Sequence, residues 1–358
     1  MQNYKLKPKK KGKIKKVNIL NSINLGEDIC IDPGSDFTSI YIVGRGMVLR
    51  EASVVACHKV SGEVVAVGDE AAEMEERAPR TLEIIHPIQK GVIIDEVLAG
   101  ELFLQLISKV KKSSVIKPRM MLSLPAGITD VEERAYITSL MRGGARQVII
   151  VDAPVAAALG AGCDVTLARG LMVLDIGGGK TSIAAVSLCN TVTSKKIYTA
   201  GDSFTNAVKA FILKKYNLEI STKTARKIKE NLGSVTGELS GMEEVFGIDA
   251  TNRLPRRIRV SAYETSNIFD YEIEDIITLI KDMLDTVPPE ILGDIMADGI
   301  LLVGGGAKLN GIAYRLREKS GIKIFPADHI DICNIRGTGL ALENLNSLPN
   351  IAQSYHNL

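Results

Sequence analysis

A ten-residue pattern occurs twice in this chain and constrains its fold more than any other feature. Residues 31–40 read IDPGSDFTSI, and residues 174–183 read LDIGGGKTSI. In each copy an aspartate, Asp32 or Asp175, is followed by glycine two residues later and by Thr-Ser-Ile after six to eight residues. This internal repeat predicts two related structural units within one chain.

Apolar periodicity around both copies predicts a mixed α/β architecture. Apolar runs predict strands near 28–32, 38–43, 47–50, 64–67, 119–124, 148–154, 171–176, 181–188 and 299–303, and residues 234–261 are strand-like and polar. Helical spacing predicts helices at 96–112, 156–162, 202–216, 223–232 and 272–287. A capping box at Thr129 and Glu132 predicts another helix to about Gly143, and Pro154 is expected to end its strand. The small residues of the helix at 156–162 predict close packing.

Length and composition favour two domains. The chain has 358 residues, of which 46% are hydrophobic but only 4% aromatic, with no Trp. A core built from Ile, Leu, Val and Ala is typical of α/β proteins with buried parallel strands. We predict domain I at residues 28–162 and domain II at residues 163–345, with the alternative that the C-terminal end of domain II returns to domain I. Residues 1–27 are predicted to be a disordered basic arm, and residues 346–358 a C-terminal tail.

Cysteine and histidine usage argues against a disulfide framework and against a zinc site. The five cysteines are widely spaced without a CxxC pair, and the four histidines show no HExxH spacing. We therefore expect a reducing, cytoplasmic environment and no metal ion held by protein side chains alone.

Charge is distributed unevenly along the chain. Residues 1–16 hold eight lysines and no acidic residue, which leaves 36 basic against 42 acidic residues in the remainder. The negative remainder disfavours a nucleic-acid partner. The lysine arm is interpreted either as a solvated tail or as a segment that binds an anionic membrane surface. We expect neither secretion nor a membrane span, because no signal peptide and no run of 18 apolar residues is found.

The repeated aspartate and glycine segments fit a phosphate site. A strand-end aspartate and a glycine-rich hairpin can offer backbone N–H groups to phosphate oxygens and a carboxylate to Mg²⁺, usually through water. Two facing copies predict a triphosphate clamp in which Asp32 and Asp175 are the catalytic and, through water, metal-binding carboxylates. The alternative is a pair of ordinary hairpin turns. A Walker A motif is excluded because Leu174 occupies its first glycine position, and a dinucleotide fingerprint because a strand follows the glycines.

From residue 28 to residue 345 the chain resembles the MreB family of rod-shape-determining bacterial actin homologues. The matching segments include both repeats, VGDEAAEM, LPAGITDVEERA, APVAAALGAG, AGDSFTNAV, KKYNLEISTKTARKIKENLGS and LVGGGAKLNGI. The resemblance implies an actin-like (ribonuclease H-like) duplicated two-domain α/β fold with a nucleotide cleft between the domains. It also implies ATP and Mg²⁺ as cofactors.

The resemblance further implies which residues bind the nucleotide. The two phosphate loops match Gly34, Ser35, Asp36 and Phe37, and Gly177, Gly178, Gly179 and Lys180. The stretch that borders adenine and ribose in the family matches Arg226, Lys227, Ile228, Lys229 and Glu230. The stretch that closes over the nucleotide from the other side matches Gly304, Gly305, Gly306, Ala307 and Lys308.

Departures from the family pattern bear on nucleotide binding and hydrolysis. The family usually reads DLGTAN where this chain reads DPGSDF, so Pro33 removes a backbone N–H group and Asp36 adds negative charge near the phosphates. Ala153 replaces the glutamate that positions the attacking water, and Lys180 replaces a threonine that helps to hold it. We expect Lys180 to pair with a phosphate oxygen and with Asp36, or else to point into solvent. Asp152 is a further candidate for holding the water, although a strand would turn it to the opposite face.

Together these features predict an MreB-like cytoskeletal protein, cytoplasmic and peripheral at the inner face of the cell membrane. It is expected to bind ATP and Mg²⁺, to form filaments that serve cell shape, and to hydrolyse ATP slowly or not at all. Expected partners are copies of itself, other MreB-type subunits, the membrane surface through the basic arm, and membrane proteins of morphogenesis and cell-wall synthesis. The alternatives are a non-polymerising, nucleotide-gated scaffold for other MreB-type subunits and a fully competent ATPase.

Overall fold

The computed structural model describes residues 26–348 and 351–356, apart from Glu76, residues 113–115 and Glu238. For residues 353–356 only the backbone is described. Nearly all of the predicted basic arm and part of the predicted tail therefore lie outside the described residues.

The described residues form runs of strands interspersed with helices. The strands are β1 Asp28–Pro33, β2 Phe37–Ile42, β3 Gly46–Ala52, β4 Val55–His58, β5 Val64–Val67, β6 Leu82–Ile85, β7 Ile88–Gln89, β8 Val92–Ile93, β9 Arg119–Leu124, β10 Gln147–Asp152, β11 Leu171–Ile176, β12 Thr181–Ser187, β13 Asn190–Ile197, β14 Leu218–Glu219, β15 Met242–Asp249, β16 Pro255–Ser261, β17 Ile300–Val303, β18 Ile324–Pro326 and β19 Ala352–His356. The helices are α1 Asp69–Met74, α2 Glu96–Val110, α3 Asp130–Arg142, α4 Ala153–Gly160, α5 Gly201–Tyr216, α6 Thr222–Leu232, α7 Asp270–Leu284, α8 Pro289–Asp298, α9 Ile312–Ser320 and α10 Cys333–Glu343.

Two large sheets share one plan. The first sheet has the order β19-β10-β9-β1-β2-β3, and the second has the order β13-β12-β11-β17-β18. In each sheet the central strand, β1 or β11, pairs antiparallel with the strand that follows it and parallel with a later strand, β9 or β17. This confirms the duplicated α/β fold predicted from the repeated pattern.

Strand register explains why the ten-residue pattern recurs. Asp32 lies opposite Ser39 in the first sheet, and Asp175 lies opposite Ser182 in the second. The isoleucine that follows each of these serines is fully buried in the core. The ten-residue pattern therefore corresponds to one type of β-hairpin that occurs in both large sheets. In each hairpin the aspartate lies at the carboxyl end of the strand that is central in its sheet.

Two helices lie between the large sheets. Helices α4 and α10 pack against each other, and α10 also contacts β1 and β9 of the first sheet although it comes late in the chain. A Cβ atom added to Gly337 of α10 would overlap the carbonyl oxygen of Ala156 in α4, and one added to Gly160 would overlap the backbone at Cys333. The close packing expected for the small-residue helix is confirmed.

Several predicted element bounds need correction. Pro154 does not end a strand but lies in the first turn of α4, where proline is tolerated because that turn needs no intrahelical N–H donor. The helix predicted at 272–287 ends at Leu284, before Pro288 and Pro289 lead into α8. The predicted tail contributes β19, which pairs with β10. No helix within the described ranges is both long and apolar enough to cross a membrane.

Candidate functional site

The two glycine loops at the ends of β1 and β11 adopt the same turn. The Gly34 N–H donates to the Phe37 carbonyl oxygen at 3.0 Å, and the Gly177 N–H donates to the Lys180 carbonyl oxygen at 3.0 Å. Residues 34–37 and 177–180 are therefore structural equivalents. In this comparison Lys180 occupies the position that Phe37 occupies in the first loop.

A cavity of about 630 Å³ opens between the loops. This volume is within the usual range for small-molecule and cofactor sites. Most of the residues predicted to bind nucleotide line it, namely Gly34, Ser35, Asp36, Phe37, Gly177, Gly178, Arg226, Lys229, Glu230, Gly305, Gly306 and Lys308. The two phosphate loops and the two later stretches thus meet at one site.

A smaller cavity of about 140 Å³ continues from the first, and Asp32 lines both. Its wall includes Asp175, Lys180 and Ala153. Gly179 and Gly304 also line it, and a Cβ atom on Gly304 would overlap the Asp175 carboxylate. The smaller cavity therefore contains both strand-end aspartates. It also contains Ala153 and Lys180, which replace the glutamate and the threonine expected from the family pattern to hold the attacking water.

The carboxylates of Asp32 and Asp175 make the smaller cavity more negative. Burial and the nearby charge of Asp175 raise the pKa of Asp32 to about 6, against the opposing effects of Lys180 and of the Ser123 hydroxyl, which donates to Asp32 at 3.1 Å. Burial likewise raises the pKa of Asp175, although the Asn334 amide donates to it at 3.2 Å and Lys180 lies nearby. A positive charge placed between the two carboxylates would be favoured.

Lys180 is half-buried in the smaller cavity rather than pointing into solvent. Burial lowers its pKa to about 8, while the charge of Asp175 and, more weakly, that of Asp32 act to raise it. The expected pairing of Lys180 with Asp36 is not formed. Asp36 instead accepts a hydrogen bond at 3.1 Å from the guanidinium of Arg226, on α6.

Helix α6 brings two cationic side chains to the large cavity. Besides Arg226, the Lys229 ammonium donates to the Gly201 carbonyl and to the Thr205 hydroxyl, each at 3.0 Å. Burial lowers the pKa of Lys229, and the neighbouring charge of Arg226 adds to that effect. The helix therefore places positive charge beside the start of α5, where the second glycine loop is anchored.

A three-residue ion cluster on the cavity wall was not predicted. The Asp331 carboxylate accepts hydrogen bonds from Arg50 and from Lys308, each at 2.7 Å. The Arg50 guanidinium also lies 4.6 Å from the ring centroid of Phe37. Since Arg50 belongs to β3 and Asp331 precedes α10, this cluster joins the first sheet to the C-terminal part of the chain across the cavity.

Some predicted residues lie away from the cavities. The described residues that line the two cavities do not include Lys227, Ile228, Ala307 or Asp152. Lys227 pairs with Glu243 at 3.1 Å, and Ile228 and Ala307 are buried in the core. Asp152 ends β10 and immediately precedes α4.

Ser123 and Asn334, which contact the two strand-end aspartates, were missed by the sequence analysis. Ser123 lies near the carboxyl end of β9, the parallel neighbour of β1. Ligand-binding residues of parallel sheets often lie at that edge, so the position itself was a usable signal. Asn334 lies on α10 and carried no comparable signal.

Comparison with known proteins identifies the family. A model of the MreB/Mbl protein family matches residues 26–350. The chain belongs to the MreB/Mbl family. It is 38% identical to the cell shape-determining protein Mbl of Bacillus cereus, over 90% of this chain and 97% of the relative. It is 36% identical to the cell shape-determining protein MreB of Escherichia coli K12, over 88% of this chain and 93% of the relative.

Solved structures share the fold of this chain. MreB5 of Spiroplasma citri bound to AMPPNP superposes with a TM-score of 0.85 at 29% identity, covering 90% of this chain and 97% of the relative. The ADP-bound form of MreB5 gives a TM-score of 0.84. A MamK double helical filament structure, at 21% identity, shares the fold with a TM-score of 0.74. The predicted actin-like fold and membership of the MreB family are confirmed.

The residues around the smaller cavity fit a hydrated magnesium ion. Mg²⁺ usually keeps several waters and binds through one or two carboxylates together with substrate phosphates. Asp32 and Asp175 offer two carboxylates on one cavity wall, and the negative charge of Asp175 adds to the effect of burial in raising the pKa of Asp32. The Lys180 ammonium adds a positive charge to the same wall, which opposes a second cation.

Proposed function

We propose that this MreB/Mbl family member binds ATP in the cleft between the two large sheets, with Mg²⁺ reached through water from Asp32 and Asp175. The observation that carries the proposal is the convergence of both glycine loops, α6 and the Gly304–Lys308 stretch on one cavity of about 630 Å³. Support comes from the relative MreB5, whose structures are described as bound to AMPPNP and to ADP.

The same proposal includes assembly into filaments that contribute to cell shape. Its relatives are named as cell shape-determining proteins. Hydrolysis is proposed to be slow or absent. Ala153 places a methyl group on the cavity wall at the position of the family's water-positioning glutamate, and phosphoryl transfer depends on such positioning.

Sedimentation of the purified full chain tests assembly and hydrolysis together. The protein is centrifuged with ATP, with ADP and with AMPPNP, and phosphate release is measured in the same samples. Pelleting in ATP with no phosphate release is the expected result. A protein that binds ATP but stays in the supernatant unless another MreB-type subunit is added would instead be the non-polymerising scaffold. Rapid phosphate release would identify a competent ATPase.

Membrane association is proposed to depend on the eight lysines of residues 1–16. A polybasic segment of this kind contributes about 1 kcal/mol per lysine near an anionic surface and is weakened by salt. Flotation with vesicles of phosphatidylglycerol and phosphatidylethanolamine should therefore decrease at high salt and after deletion of residues 1–16. Flotation that persists after this deletion would remove the arm from the proposal.

A further inference from the structure

The Lys180 side chain lines the smaller cavity together with both strand-end aspartates. Within the described part of the chain, the Lys180 ammonium takes part in no hydrogen bond and in no ion pair. It packs so closely over Gly91 that a Cβ atom there would overlap it. Its three N–H donors are therefore available to an anion that enters the smaller cavity.

Neighbouring charges leave Lys180 free for this use. Asp36, the carboxylate contributed by the first phosphate loop, is already paired with Arg226 at 3.1 Å. Asp331, the other acid on the wall of the smaller cavity, is paired with Arg50 and Lys308. Among the described residues that line the smaller cavity, the charged side chains without an ion-pair partner are thus those of Asp32, Asp175 and Lys180.

The Lys180 ammonium changes how much positive charge a divalent cation needs to contribute to nucleotide binding. Without Lys180, two carboxylates and the incoming phosphates would present only negative charge to one another, and binding would require a cation between them. With Lys180, one positive charge is supplied by the chain itself, and the net charge that attracts a second cation is smaller. A threonine, which the family usually has at this position, could supply a hydroxyl but no charge.

We propose that the Lys180 ammonium supplies, at the phosphate end of the cleft, positive charge that a divalent cation otherwise supplies, so that nucleoside triphosphate binds with little dependence on Mg²⁺. This inference rests on the proposed function, since it concerns the same nucleotide site. It goes beyond that function by assigning the chain its own built-in counter-charge.

Calorimetric titration of ATP into the full chain tests the inference. Dissociation constants are measured with excess magnesium chloride and with EDTA for the wild type, for Lys180→Thr and for Lys214→Thr. Lys214 is an exposed lysine on α5 and serves as the matched control. We expect removal of Mg²⁺ to weaken binding by less than about threefold in the wild type and in Lys214→Thr, but by more than about tenfold in Lys180→Thr.

The outcomes separate this inference from the proposed function. Absence of ATP binding by the wild type under both conditions overturns the proposed function. Binding by the wild type that needs Mg²⁺ as strongly as Lys180→Thr leaves the proposed function standing and overturns the role of Lys180. If Lys180→Thr does not fold, Lys180→Gln is titrated in its place. Titration of magnesium chloride alone gives a second readout. Mg²⁺ is expected to bind more weakly to the wild type than to Lys180→Thr.

Discussion

The Asp36 carboxylate accepts a hydrogen bond at 3.1 Å from the Arg226 guanidinium across the mouth of the cleft. Asp36 follows β1 of the first sheet, whereas Arg226 lies on α6, which packs against α5 and β15 in the second half of the chain. The carboxylate also packs over Gly178, where a Cβ atom would overlap it. One ion pair thus joins the two halves of the molecule and places negative charge against the second glycine loop.

Replacing Asp36 with Asn should strengthen ATP binding. The substitution removes a negative charge from the cavity wall and releases Arg226, so that its guanidinium can donate to the nucleotide. We expect the dissociation constant for ATP to fall by about threefold to tenfold, which is at most about 1.4 kcal/mol. Calorimetric titration in magnesium-containing buffer measures the change.

Asp202→Asn is the control for this prediction. Asp202 lies 3.8 Å from Arg226 but is half exposed and is not part of the wall of the large cavity, so its replacement should leave ATP affinity within about twofold. Weaker binding by Asp36→Asn than by the wild type would show that Asp36 orients Arg226 rather than opposing the phosphates.

The local parts of the fold and site could be predicted from the sequence because short-range patterns determine them. The β1–β2 and β11–β12 hairpins follow from apolar strands broken by glycine, and the α3 capping box follows from Thr129 and Glu132 alone. Strand ends then place Asp32 and Asp175 where a ligand can reach them. No knowledge of distant parts of the chain was needed for these features.

Long-range contacts could not be predicted in this way. Arg50 and Asp331 are 281 residues apart in sequence, and no periodic pattern marks either as a partner of the other. A return of the C-terminal end of domain II to domain I was stated as an alternative, but the packing of α10 against α4 is a contact that a single sequence does not display. The pairing of Asp36 with Arg226 rather than with Lys180 was missed because several cations compete for one carboxylate.

Replacing Asp331 with Asn should destabilise the folded chain. The carboxylate is largely buried between two cations, and a neutral amide in its place leaves the charges of Arg50 and Lys308 without their shared anionic partner. We expect the free energy of unfolding to fall by about 1–3 kcal/mol in urea denaturation at neutral pH. Asp298→Asn removes an exposed partner of Arg169 and should change stability by less than about 0.5 kcal/mol. Equal effects of the two variants would argue against a stabilising role for the Asp331 cluster.

Glu264 should contribute stability that depends on pH. Although burial acts to raise its pKa, hydrogen bonds from Lys215, Tyr216 and Ser261 lower the pKa of Glu264 to about 2. The folded-state pKa of Glu264 lies below the ordinary pKa of a glutamate. Its contribution to stability is therefore fully present at pH values above that ordinary pKa and is lost as the pH falls towards 2. Glu264→Gln should therefore lower the melting temperature by about 2–4 °C at pH 7.

Melting curves of the wild type and Glu264→Gln, recorded at several pH values from neutral down to about pH 3, test this dependence. The difference between the two proteins should shrink with acidification. Glu318→Gln, which removes an exposed partner of Arg315 within α9, is the control and should show no such trend. A difference for Glu264→Gln that is constant across the pH range would contradict the prediction.

Restoring the family's residues at positions 153 and 180 should restore hydrolysis. Ala153 and Lys180 line the same small cavity, so a glutamate at 153 and a threonine at 180 could hold a water together beside the phosphates. We expect Ala153→Glu with Lys180→Thr to raise phosphate release at least about tenfold over the wild type, since a positioned base contributes about 10²–10⁴-fold in enzymes. Ala153→Glu alone should remain slow because its carboxylate would pair with Lys180.

Asp152→Asn should leave the wild-type rate unchanged because Asp152 lies outside the cavity walls. A lower rate would assign the water to Asp152 instead.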